Sequence, residues 1–222
     1  MANVEQQYID ALINKVYVQI SDYFIGKTLN ELVNEHFIIR LNDPKQRKFK
    51  KFHQYYYSTL KKEKNFIDKE FFNDFRQAYS LRGMTSDYLD KFDKPKKKTE
   101  ILQLINEDRL TELYQMFTEE KHFGSFFSKL VHTFNPLHYT QVDIPIKKFF
   151  RLEHESYFIA FIVISGAYKK WAIENSEFLH ELKSEFIKSD NAGYMKKKES
   201  MINEMKILNL IFWSESNKHF NV

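Results

Sequence analysis

Apolar residues recur at intervals of three and four along most of the chain, and that interval is the signature of helices. Val4, Tyr8, Leu12, Val16, Ile20 and Phe24 are spaced by four, with Ile9, Ile13 and Tyr17 beside them. The stripe predicts an amphipathic helix ended by Gly26. Thr28 and Glu31 have capping-box spacing and open a second helix carrying Leu32, Val33, His36, Phe37 and Ile39. Asn42-Asp43-Pro44 then breaks the chain. A helix over 68–81 ends near Gly83, and Lys94-Pro95-Lys96-Lys97-Lys98 reads as an exposed basic turn. Beyond it a helix carries Ile101, Leu102, Leu104 and Ile105, and Leu110, Leu113, Tyr114 and Phe117 continue the rhythm.

After Gly124 a helix through Phe126, Phe127, Leu130, Val131 and Phe134 must stop at Asn135-Pro136, because proline disfavours helix at the residue before it. Residues 137–143 form a short non-helical connection, and Ile144-Pro145 restarts a helix, since proline is tolerated in a first turn. The stretch 155–175 is apolar nearly all round and is expected to be the central buried helix. Ser176 caps a helix through Phe178, Leu179, Leu182, Phe186 and Ile187 that ends at Asn191-Ala192-Gly193. The last helix, over 195–213, carries Met201, Met205, Leu208, Ile211 and Phe212. No alternating strand pattern and no internal repeat competes. The expected fold is all-α: a single globular multi-helix domain over 1–222, or two closely packed lobes over 1–98 and 99–222.

Composition agrees with a folded chain, since 43% of the 222 residues are hydrophobic and 17% aromatic, far too apolar for disorder. Cysteine is absent, which removes disulfides, thiolate zinc sites and cysteine nucleophiles together and suits a reducing compartment. The first residues lack a basic segment followed by an apolar core, so no secretory signal is read. The most apolar stretch, 157–164, is too short to span a bilayer. A cytoplasmic protein with no membrane partner is expected. The net charge of +4 divides into 28 Lys and only 6 Arg, and bulk charge of that kind is weak evidence for a nucleic-acid partner.

Its distribution says more. In 45–64 eight basic residues (Lys45, Arg47, Lys48, Lys50, Lys51, Lys61, Lys62, Lys64) face one acid, Glu63, so the rest of the chain carries a small negative excess. Tyr55, Tyr56 and Tyr57 lie between them. Lysines of this kind neutralise phosphates, and Tyr55 and Tyr56 can stack on unpaired bases. A solvated lysine face over an aromatic core explains the same residues.

With five glycines, neither a dinucleotide-binding nor a phosphate-binding glycine loop occurs, and HExxH and GxSxG are absent too. No cofactor is expected. His132 and His138 near Asp143 match no recognised metal spacing, so no metal site is assigned and both are expected to be hydrogen-bonded, partly buried histidines. The aromatic residues Tyr157, Phe158, Phe161, Tyr168 and Trp171 are explained by core packing.

The most informative stretch is 123–146, FGSFFSKLVHTFNPLHYTQVDIPI. It predicts a helix with one lysine, Lys129, near its start, a proline-broken turn, and an aspartate, Asp143, capping the next helix. The arrangement resembles the helix-hairpin-helix DNA glycosylases, in which a lysine-bearing helix is followed by a turn ending in a Val-Asp-like pair and another helix. Ser128-Lys129 matches the lysine position and Val142-Asp143 the aspartate, with about one helical turn less between them. The ending 206–213, KILNLIFW, is similar to the close of prokaryotic proteins of that group. The family's glycine-rich hairpin is represented only by Gly124. The resemblance implies a DNA-associated protein acting on a base extruded from the duplex. Asp143 would stabilise an oxocarbenium-like sugar or position water, and Lys129 would attack the sugar carbon. The residues by themselves also allow a non-enzymatic helical interaction module for a protein or RNA partner, with Lys129 solvated and Asp143 a helix cap only.

Overall fold

In a computed structural model the described residues are 2–38, 72, 75, 76, 79, 81, 86–92, 94–118, 123–189 and 202–220. Every regular element among them is helical, as the spacing of apolar residues predicts. Helix α1 (Ala2–Phe24) is closed by a turn in which Gly26 adopts φ +75°, the left-handed conformation that glycine enters without steric cost. The Thr28 side chain accepts from Glu31 N–H while Glu31 reaches back to Thr28 N–H at 2.8 Å. That reciprocal cap opens α2 (Leu29–Val33), which passes directly into a π-helical turn, Asn34–Ile38. The chain then runs through α3 (Ser86–Asp90), α4 (Pro95–Asn106) and α5 (Leu110–Thr118). Pro95 sits in the first turn of α4, so Lys96, Lys97 and Lys98 belong to that helix rather than to the turn the sequence suggested.

Helices α6 (Gly124–Phe134) and α7 (Ile144–Phe149) are separated by a non-helical connection at 135–143, which includes the expected 137–143. Helix α8 (Tyr157–Glu174) begins at Ser156, whose side chain accepts from Ile159 N–H at 3.1 Å, and it is followed by α9 (Ser176–Ser189) with only Asn175 between them. Ser176 is therefore inside α9 rather than its cap. The last helix, α10 (Glu204–Phe220), starts and ends later than its apolar pattern suggested. Asn203 sets its start by accepting from Lys206 N–H at 2.8 Å.

Helix α8 lies at the centre, packed against α1, α6, α9 and α10. It buries Ala160, Phe161, Val163, Ile164, Ala167, Tyr168 and Trp171, which is why it is apolar on all faces. Two aromatic groups meet across it. Phe24 stacks on Trp171 at 4.5 Å, and Phe212 packs between Phe150 and Tyr168. On the other side Phe127 joins Tyr114 to Phe161, and Phe126 joins Phe75 to Phe117. Such offset and edge contacts each add roughly 0.5–1.5 kcal/mol to the area buried. Among the described residues no helix is long and apolar enough to cross a membrane.

Candidate functional site

The connection at 135–143 is held by side chains, because its buried backbone groups have no ladder or helix to join. Ser128 on α6 donates to Val142 O at 2.9 Å and accepts from Val142 N–H at 3.1 Å. His132 Nδ1 donates to Tyr139 O at 2.7 Å. From α8, Ser165 accepts from Thr140 N–H at 3.1 Å, and from α10, Asn209 donates to Gln141 O at 3.1 Å. Gln141 in turn donates to Tyr79 Oη at 3.0 Å. Three helices thus fix the few residues leading to Asp143.

Asp143 is the N-cap of α7, extended at φ −126° and ψ 178°, and its carboxylate accepts from Ile146 N–H at 3.1 Å. The Trp213 side chain from α10 also hydrogen-bonds to it. Lys129 is in the middle of α6 rather than near its start, one residue after the serine that holds Val142, and its charge is close enough to interact with that of Asp143. Its ammonium stands 5.5 Å from the Tyr79 ring centre. Both Lys129 and Asp143 keep partial contact with solvent. They are nonetheless so closely surrounded that loss of hydration is the largest influence on each. Burial pushes the Lys129 amine below its usual range while Asp143 pulls it back up. Burial likewise pushes the Asp143 carboxyl up, against Lys129, Ile146 N–H and the Trp213 side chain. Each group is drawn toward its neutral form, and each restrains the other.

The aromatic surroundings complete the site. Tyr157, the first residue of α8, is pushed up to about 12 by burial, with the Asp143 charge adding to it. Lys147 lies over the Tyr157 ring at 4.7 Å. Tyr168 is fully buried, and burial together with Asp143 holds its phenol well above the usual range. Gly124 is the first residue of α6, where a β-carbon would come 2.1 Å from Tyr157 Cβ. Its role is a close approach of α6 to α8.

Trp213, Tyr157 and Tyr168 were not recognisable as neighbours of Asp143 from sequence. Tyr157 and Tyr168 fit the core stripe of α8, and Trp213 is 70 positions beyond the aspartate. Lys206 was missed also: it is completely buried, and burial drives its amine strongly toward the neutral form. Burial is also the main cause that pushes His132 down to about 3, with the protonated form of Lys206 adding to it. His138 lies at the surface, 3.4 Å from Lys169 Nζ. Lys45, Arg47, Lys48, Lys50, Lys51, Tyr55, Tyr56, Lys61, Lys62 and Lys64 lie outside the described residues.

A second set of ligand-type groups, Glu35, His36 and Glu215, lies within 4.8 Å of one another at the π-helical turn. Lys27 and Lys218 each approach Glu35 Oε2 to 3.6 Å, and Tyr23 Oη is 2.7 Å from His36 Nε2. Ammonium groups already stand where a cation would be drawn, so this is a charge-balanced network around a buried histidine. No family model, no curated protein and no solved structure matches the chain.

Proposed function

We propose that the protein binds DNA and acts on a base turned out of the duplex, with Lys129 and Asp143 as the chemical pair. One observation carries the reading: an amine and a carboxylate fourteen residues apart share one half-buried, partly solvent-accessible place, each shifted toward its neutral form by burial. The likeness of 123–146 to the helix-hairpin-helix glycosylases supplies the reaction class.

In the hydrolytic form of the reaction the bond between the sugar C1′ and the base nitrogen breaks, and the base leaves with the electron pair. The Asp143 carboxylate stabilises the positive charge that develops on the sugar. Water then forms the new C1′–O bond, and its proton passes to the carboxylate or the departing base. In the alternative form the Lys129 amine, made available by its lowered proton affinity, forms the bond to C1′ in place of water. An enzyme of this kind needs only DNA and water.

Base release from duplexes carrying common lesions tests the proposal, with Asp143→Asn as the decisive variant. Asparagine retains the helix cap, so a folded Asp143→Asn protein that still releases base at the original rate ends the role assigned to the carboxylate. Borohydride trapping separates the two forms, because only attack by Lys129 leaves the protein covalently attached to DNA. A second reading draws on the fact that Asp143 is well satisfied as a cap and by Trp213. In that reading the chain is a non-enzymatic helical module binding a protein or RNA. No base release, together with undiminished partner binding in Asp143→Asn, is its expected result.

A further inference from the structure

Between the end of α4, α1, α8 and residues 135–139 of the connection lies a cavity of about 420 Å³, within the size range of small-molecule sites. Ile13 and Ile162 give it an apolar wall, and two side chains of opposite charge, Asp108 and Lys169, line it as well. Asp108 stands where a helix ordinarily ends in glycine. Its N–H donates to Ile105 O at 3.3 Å and Arg109 N–H to Leu104 O at 2.9 Å, which closes α4 with Asp108 at φ 59°. A side chain is strained in that left-handed conformation, and a carboxylate is repelled by the negative end of the helix. Closing the helix therefore does not account for the aspartate. Its chain neighbour Arg109 does not balance it, being engaged by Glu107 at 2.9 Å and by Glu112 at 2.7 Å. Tyr139 Oη donates to Asp108 Oδ1 but brings no positive charge. Likewise the Lys169 ammonium donates to His138 Nδ1 at 3.4 Å, which directs it without neutralising it. Among the described residues neither charge has an ion-pair partner, and the two stand too far apart to pair with each other.

We propose that this cavity binds a free amino acid with an apolar side chain. Asp108 takes the ligand's ammonium, Lys169 takes its carboxylate with His138 beside it, and the side chain lies against Ile13 and Ile162. A ligand carrying both charges completes both pairs at once, whereas a simple anion or cation leaves one wall of the cavity uncompensated. The cavity shares no residue with the place occupied by Lys129 and Asp143, so binding there is independent of any reaction on DNA.

Isothermal titration of the full chain with L-leucine and L-phenylalanine is expected to show binding, with glycine weaker for want of a side chain. N-acetyl-L-leucine, which lacks the ammonium, and L-leucinamide, which lacks the carboxylate, are each expected to bind about tenfold more weakly or worse. Asp108→Asn keeps a residue that tolerates the left-handed backbone and still accepts from Tyr139, and Lys169→Met keeps an apolar stem. Each variant should weaken L-leucine binding by a similar factor. Both positions are exposed, so both variants are expected to fold. No binding of any of these amino acids at millimolar concentration overturns the inference, and so does N-acetyl-L-leucine binding as tightly as L-leucine. An Asp108→Asn protein that melts lower yet binds L-leucine unchanged assigns the aspartate to Tyr139 alone and overturns it too.

Discussion

Gly124→Ala sets two effects against each other, and the structure decides the sign. By helix propensity alone alanine is the better residue, by about 1 kcal/mol in a helix interior. Nothing in the backbone forbids it, for Gly124 does not adopt the left-handed conformation. The added methyl, however, would sit 2.1 Å from Tyr157 Cβ and 2.3 Å from its Cγ, where ordinary contact begins at 3.4 Å. The obstruction is the root of a side chain rather than its flexible end, so α6 or α8 must move by more than an ångström. Overpacking that shifts backbone costs about 3 kcal/mol or more, which exceeds the propensity gain. For a chain of this size that is a fall in melting temperature of roughly 6–12 °C. Thermal unfolding followed by circular dichroism measures it directly. An equal or higher melting temperature in the alanine variant refutes the close approach of α6 to α8, and with it the placement of Tyr157 beside Asp143.

Ser128→Ala deprives Val142 of both its partners, at about 1–3 kcal/mol for each orphaned group, and urea unfolding should register the loss; a change under 0.5 kcal/mol contradicts the pinning of the connection. Thr28→Ala removes the reciprocal cap of α2 and should cost about 1 kcal/mol by the same assay, whereas Thr28→Ser should cost much less. His36 is pushed down to about 4, chiefly by burial, with Lys218 and Lys27 adding to it and Glu215 and Glu35 opposing. Between its ordinary 6.5 and that value the unfolded chain binds the extra proton, so about 3 kcal/mol of stability present above pH 6.5 is lost as pH falls toward 4. A His36 ring titrating near 6.5 by NMR removes this contribution.

The helices were legible because their burial is periodic, and periodicity is a property of neighbouring residues. The stripe of α1, the Thr28–Glu31 box and the stop at Asn135-Pro136 were all readable in windows of a few residues. The boundaries of α10 were not, since nothing in its own apolar pattern says that Asn203 will cap it. Asp143 and Lys129 could be singled out from a local motif. What surrounds them could not: Trp213 comes from a helix 70 residues away, and Tyr168 carries the same core-facing signal as Phe161 or Trp171. Lys206 broke the rule that lysines are solvated, and no local pattern marks the exception.

The side chains that hold the connection before Asp143 come from α6, α8 and α10, far apart along the chain. No partial loosening can release that segment while those three helices stay together, so the carboxylate has no private route to motion. Deuterium should therefore enter the amides of Thr140 and Val142 as slowly as it enters the centre of α8, through whole-molecule opening alone. Chemistry at this aspartate would have to bring its reactant to a fixed point, and any adjustment of fit would fall to the incoming molecule.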